Sequence, residues 1–323
     1  MGKKNLIAVL ILALVIAALP LFLRDNYSLG VLVIIGIYSL ITLGLSLLMG
    51  YAGQISLGHA AFYGIGAYCS GLLCVKAGWS PWLALVAAMM VSGGVAFVMG
   101  QPILRLRGHY LAMATLAFGI IIYIFFEAAV NLTGGPSGFG SIPRLTIGDW
   151  KIKGGVEFFY LVWLCVLAAL VLSLNIVHSR VGRALRSIHG SEQASSAMGV
   201  NTSKYKVQIF VLSACLASLA GSLYAHYVTF IGPSSFDFKF SVTLVTMVAV
   251  GGMSNLWGAL AGTAILRFLP EVLGHFEDYH LLIYGGILIV ILMYMPEGLV
   301  LGLAHGIQKL IAALRSRKRV ESQ

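Results

Sequence analysis

The sequence predicts an all-α, polytopic membrane protein with about ten transmembrane helices, and three observations carry that reading. Of its 323 residues, 59% are hydrophobic and only 10% charged, whereas soluble domains carry about a quarter charged residues. The mean hydropathy is +0.94. The apolar runs come close to the about 20 residues that a helix needs to cross hydrocarbon. They lack the strict alternation of barrel strands.

The formal net charge of +10 would point to nucleic acid in a soluble protein. In a membrane chain it reports basic cytoplasmic loops, so no nucleic-acid partner is expected. Cys69, Cys74, Cys165 and Cys215 all fall inside apolar runs without metal-ligand spacing. They read as small core residues, and no metal or cofactor is expected.

Lys3 and Lys4 precede the first apolar run, Leu6–Leu23. That arrangement is superficially like a secretory signal. The run is long enough to span, however, and no small-residue cleavage site follows, so it reads as a retained first helix. Further spans are predicted at 29–50, 54–75, 80–103, 109–131, 157–177, 207–230, 239–253, 256–270 and 281–302. The stretch 239–253 is short for a full crossing. Ten crossings place both termini in the cytoplasm. Fourteen Lys and Arg residues then lie on cytoplasmic segments and six on external ones, the asymmetry that the positive-inside rule requires. Arg267 falls within a span near its outer end, where it could snorkel. Residues 1–323 read as one transmembrane domain with a cytoplasmic loop at 178–206, an external loop at 132–156 and a basic cytoplasmic tail at 303–323.

The loop His178–Lys206 combines a basic set (Arg180, Arg183, Arg186, Lys204 and Lys206) with small and apolar residues such as Leu185, Ile188, Ala194, Ala197 and Met198. A short helix with such a face fits a groove on a partner protein. The plainer reading is a basic loop that only sets topology. The loop 132–156 carries Gly134, Gly135, Pro136, Gly138 and Gly140 and is built to turn sharply. It is either a landing site for a ligand or delivery protein, or a passive connector.

Within the membrane, Gly50–Gly71 is the most unusual stretch. Gly53, Gly58, Ala60, Ala61, Gly64, Ala67 and Gly71 recur at intervals that let helix backbones approach closely. Gln54, Ser56 and His59 set polar atoms beside that ridge. Such atoms need a partner or a wet cavity, so His59 is either an interhelical hydrogen bonder or part of a translocation path. Tyr110, Thr115, Tyr123, Glu127 and Asn131 give the fifth helix a polar side. Glu127 either lines an outer vestibule or marks the membrane boundary.

The phosphate loop G-x-x-x-x-G-K-[ST], H-E-x-x-H and G-x-S-x-G are all absent from the sequence. The predicted spans also lack the buried Asp and Lys chains of proton relays. Neither an enzyme nor a proton-driven carrier finds support in these residues.

Seven stretches, in order, resemble one family: GYAGQISLGHAAFYGIGAY, RLRGHYLAMATLAFG, TGGPSG, SRVGRALRSI with the following 192–199, LYAHYVTFIGPSSF, VAVGGMSNLWGALAG and MPEGL. Together, from about Gly50 to Leu299, they resemble the LivM-type permeases, membrane subunits of branched-chain amino acid ABC importers. The RLRG…YLAMATLAFG version resembles the LivM rather than the LivH half of the pair. The resemblance implies a second, LivH-like permease subunit, two cytoplasmic ATPase subunits and an extracytoplasmic amino acid-binding protein as partners. It further implies a bacterial inner-membrane location and alternating access driven by the ATPases.

Glu192, Ala194, Ala197 and Gly199 match the Glu-x-Ala…Gly coupling pattern of ABC permeases, and Arg183 precedes them in the same loop. These five are the residues expected to couple to the ATPase. Gln54, Ser56, His59, Tyr110, Thr115 and Glu127 are the candidates for the translocation path. Two departures stand out. Ile120 follows Gly119 where related sequences carry an acid, which keeps urea or a short-chain amide open as the cargo. His189, Gly190 and Ser191 stand where relatives have Arg-Glu ahead of the coupling acid. A solitary, ATP-independent carrier is the alternative from another class.

Overall fold

A computed structural model of the chain describes residues 3–22, 25–147, 150–151 and 155–273, with a few isolated positions beyond. Twelve α-helices lie within these ranges. They are α1 (Lys3–Phe22), α2 (Asn26–Ser46), α3 (His59–Ala77), α4 (Pro81–Ile103), α5 (His109–Ala128), α6 (Val130–Thr133), α7 (Val156–His178), α8 (Arg180–Gly190), α9 (Glu192–Ala197), α10 (Thr202–Val228), α11 (Phe238–Gly251) and α12 (Leu256–Leu273). A π-helical turn, Leu47–Tyr51, prolongs α2.

Local chemistry sets many of the helix starts. Asp25, Ser80, Asn201 and Asp237 each cap a helix by accepting a hydrogen bond from a backbone N–H in its first turn. Ser80 is followed by Pro81, whose missing N–H costs nothing at that position.

Among the described residues, seven helices are long and apolar enough to cross a membrane: α1, α2 with its π turn, α3, α4, α5, α7 and α10. Three of the ten predicted spans are not among the seven: 239–253, which folds as α11, 256–270, which folds as the 18-residue α12 with Pro270 inside it, and 281–302. The 14 residues of α11 reach only about 21 Å at 1.5 Å per residue, short of a hydrocarbon core of about 30 Å. It packs beside α12 as a hairpin. The predicted span 281–302 and the tail 303–323 lie outside the described residues but for isolated positions.

The centre of the bundle is α2, whose most apolar window is 78% buried, against 6% for α1. Burial of α2 is nearly all-round, as expected for a helix surrounded by others. Next to it, α3 lies along α10. A Cβ at Gly66 would sit 2.2 Å from the Ser218 carbonyl oxygen, and one at Gly221 would sit 1.9 Å from that of Tyr63. Only glycine permits this approach. The small-residue ridge was therefore legible, although within α3 the closest approach to α10 falls on Gly66 rather than on the residues of the repeating series.

The connections gather at two ends. At one end, Glu192 meets Arg107 and Lys206, while His189 and Ser254 both reach the Gly50 carbonyl. At the other, the described residues of the segment 132–156 close over α3, α4 and α10. Phe139 and Ile231 exchange backbone hydrogen bonds of 2.8 and 2.9 Å, the Trp82 indole N–H donates to the Thr146 carbonyl, and Lys76 Nζ donates to that of Asn131. Within it a two-residue strand β1 (Thr146–Ile147) pairs antiparallel with β2 (Trp150–Lys151). This segment is tied down by hydrogen bonds on several sides. Arg267 does not stand alone either: its guanidinium lies 3.2 Å from Glu271, which also accepts from the Tyr27 hydroxyl.

Candidate functional site

The predicted helix over 54–75 starts late, at His59, because the chain between α2 and α3 is not helical. Gly53, at φ +66°, ends the π turn. The backbone groups freed by this break find local partners. The Gln54 N–H donates to the Leu48 carbonyl, the Leu57 N–H to Thr115 Oγ1 at 3.0 Å, and the Gly58 N–H to Ser56 Oγ. Ser213, which bonds His59, lies eleven residues into α10, so the α3 edge of the break sits about 16 Å along that helix. Non-helical backbone at membrane depth persists only when buried in protein or lining a cavity, and broken helices of this kind carry the binding sites of many transporters.

His59 is 1% exposed and sits edge-on to the Phe62 and Phe210 rings. Both ring nitrogens are engaged, Nε2 at 2.6 Å from Ser213 Oγ and Nδ1 at 3.1 Å from Ser56 Oγ. Beside it the Ala60 N–H donates to Ser241 Oγ. Gln54 donates its amide N–H to the Ala52 carbonyl, while its Oε1 is buried without a partner among the described residues. Gly53 and Ile55 flank it and are exposed.

Thus Gln54, Ser56, His59 and Thr115 come together, joined by Ser213 and Ser241, which sequence reading missed. Lone serines on apolar helices give no signal of which neighbour they face. Tyr110 and Glu127 do not join them. They occupy opposite ends of α5, with Tyr110 74% exposed and Glu127 accepting from the Tyr123 hydroxyl at 2.7 Å.

The segment 178–206 folds as two short helices leading into α10. Gly182, Leu185 and Ile188 bury one side of α8, and Arg180, Arg183 and Arg186 are exposed at every third position. Ser191 caps α9 through the Ala194 N–H. Gly199, at φ +83°, closes α9 in a Schellman turn: the Val200 N–H donates to the Ser195 carbonyl and that of Gly199 to Ser196. Ala194, Ala197 and Gly199 are exposed on this knob, and Met198 is 85% exposed.

Glu192 faces inward instead. Its carboxylate oxygens lie 2.9 Å from Lys206 Nζ and 3.2 Å from Arg107 Nε, and the Lys206 side chain is 2% exposed. The acid therefore fixes α9 to the base of α10 and to the α4–α5 connection. It is the only carboxylate between His178 and Lys206. That solitude was the available signal for a pairing, though not for the partners.

A family model described as branched-chain amino acid transport system / permease component matches residues 27–292. The chain belongs to this permease family. Among its relatives, LivM of Salmonella typhimurium strain LT2, a high-affinity branched-chain amino acid transport system permease protein, is 32% identical over 309 residues, covering 88% of this chain and 73% of the relative. LivM of Escherichia coli K12 is 31% identical over 320 residues, covering 92% and 74%. LivH of Escherichia coli K12 is 26% identical over 280 residues, covering 81% and 90%. No solved structure gives a significant match.

The LivM-type resemblance thus holds, and this permease is a transport subunit rather than an enzyme. Its apolar helices and bacterial relatives make it a multi-pass protein of the inner membrane. One departure from the family pattern has a structural counterpart in this permease. His189 Nδ1 lies 2.9 Å from the Gly50 carbonyl, at the end of the π turn that leads into the break.

Proposed function

We propose that this permease is one membrane half of an ATP-driven importer for branched-chain amino acids. Its basic end faces the cytoplasm, and both termini lie there. It pairs with a second, LivH-like permease, two cytoplasmic ATPase subunits dock on the loops of the pair, and an extracytoplasmic binding protein delivers the amino acid at the 132–156 end. The observation that carries the reading is the α8–α9 knob: an exposed, small and apolar tip beside a row of arginines, held rigidly by Glu192 between Arg107 and Lys206. A knob fixed at its base can transmit a pull, whereas a loose loop would absorb it.

Arg183 and the exposed Ala194, Ala197 and Gly199 form the docking face, with Glu192 as its positioning residue. ATP binding closes the ATPase pair and moves this knob, shifting the permease pair between outward and inward access. His189 and the Gly50 carbonyl lie on the route from the knob to the break at 53–58, where Gln54, Ser56 and Thr115 line the passage. His59 holds α3 to α10 beside it. Tyr110 and Glu127 stand at the two mouths. ATP chemistry belongs to the partner chains, which agrees with the absence of a phosphate loop from this sequence.

The test is ATP hydrolysis by the co-purified complex in nanodiscs, with binding protein loaded in turn with leucine, isoleucine, valine and urea. Stimulation by the three amino acids supports the proposal. Stimulation by urea alone would move the cargo to amides, as Ile120 leaves open. Uptake without ATP and without a co-purifying ATPase would make the chain a solitary carrier.

A further inference from the structure

The basic residues at the α8–α9 end fall into two groups. Arg107 and Lys206 share the Glu192 carboxylate. Arg105 and Lys204 have no carboxylate partner among the described residues, and both line one cavity of about 670 Å³ between α4 and α10. Gln101 also lines it, as do Phe97, Val207 and Val211.

The lining is graded along the membrane normal. Arg105 lies just past the end of α4 and Lys204 in the first turn of α10, so the two cations share one rim. Phe97 sits six residues inside the end of α4, and Val211 seven residues beyond Lys204, which puts them about 9 and 10.5 Å deeper. Phe97 is 52% exposed on the outer surface of the bundle. A polar, doubly cationic rim over an apolar floor matches the boundary between headgroups and acyl chains, not an aqueous solute site.

We propose that this groove binds an anionic phospholipid of the phosphatidylglycerol type. Its phosphodiester lies between Arg105 and Lys204, and an acyl chain runs along Phe97, Val207 and Val211. A choline or ethanolamine headgroup brings its own cation to the same rim and is disfavoured there. The site stands apart from the cargo and from ATP coupling. Two juxtamembrane cations predict a preference on the order of tenfold or more for the anionic lipid.

The test is native mass spectrometry of the full-length permease, with whatever subunits co-purify, in detergent with dioleoyl phosphatidylglycerol and dioleoyl phosphatidylcholine at equal concentration. The expected result is one retained phosphatidylglycerol, preferred by roughly tenfold. The preference should vanish in Arg105→Gln/Lys204→Gln and persist in Arg180→Gln/Arg183→Gln, which removes the same charge elsewhere. Val211→Trp, which fills the floor and keeps both cations, should also release the lipid and guards against misfolding of the double variant. Equal retention of both lipids, or an unchanged preference in the Arg105/Lys204 variant, would overturn the proposal. So would displacement of the lipid by inorganic phosphate, which would mark a site for a free anion. If the variant kept its lipid but lost a co-purifying subunit, the groove would seat a protein and the proposal would fall.

Discussion

Two buried polar clusters make opposite demands on the residues within them. Lys206 has almost no solvent, so Glu192 is its main means of bearing a charge at that position. Removing one partner of such a pair leaves a charge without compensation, at a cost of about 3 kcal/mol or more, whereas removing both is far cheaper. Glu192→Ala should therefore lower the denaturant midpoint of the purified permease sharply, and Glu192→Ala/Lys206→Met should recover most of the loss. Equal midpoints for the single and double variants would detach Glu192 from this structural role. At the break, His59 is satisfied on both nitrogens and Gln54 is not. Ser213→Ala, which removes one interhelical hydrogen bond worth about 0.6–1.7 kcal/mol, should reduce folded protein and uptake in step. Gln54→Ala should leave the yield of folded protein nearly unchanged and cut uptake per molecule by tenfold or more. Parallel losses for Gln54→Ala would return it to a packing role. The Glu192–Lys206 and His59–Ser213 pairings were not readable in the sequence, because partners 14 and 154 residues apart share no local pattern.

At the scale of elements, the sequence was informative wherever one helix decides its own limits. The long apolar windows place α4 and the start of α11 within a residue of expectation, whereas α10 starts five residues earlier than expected, at its Asn201 cap. The start of α3 was misplaced because Ile55 and Leu57 continue the apolar run across Gln54–Gly58, while a partner that replaces its helical bonds, Thr115 Oγ1 for the Leu57 N–H, lies on another element. The α9 turn rests instead on a local choice, since Gly199 occupies a left-handed position that glycine prefers. A Cβ there meets nothing within 4 Å, so a substitution costs only the backbone strain of about 1–2 kcal/mol, less for Asp, which tolerates this region. Gly199→Asp should therefore assemble normally and still abolish ATP-driven uptake, because it sets a carboxylate on the exposed docking tip. Purified complex of normal composition with normal uptake in vesicles would remove α9 from the coupling role.

For the whole molecule, the alternation of chain ends is the feature on which every functional assignment depends. The connections 104–108, 178–201 and 252–255 meet at one end, and 129–155 and 229–237 at the other. The α11–α12 hairpin preserves that alternation although α11 is too short to span alone. The charge asymmetry is the ground on which we propose that the α8–α9 end is cytoplasmic, because Lys and Arg resist translocation. Single cysteines test this directly, in a background with Cys69, Cys74, Cys165 and Cys215 replaced by alanine. Gly190 is exposed with open space around a Cβ and suits the α8–α9 end. On the opposite end Gly138 does not suit, since a side chain there would lie 2.6 Å from the Phe230 ring. Its neighbour Ser137 is exposed and nearly isosteric with cysteine. An impermeant maleimide should label Ser137→Cys in intact spheroplasts and Gly190→Cys only in inverted vesicles or after permeabilisation. The reverse pattern would put the arginine-lined knob outside the cell, out of reach of any cytoplasmic ATPase, and the importer reading would fail with it.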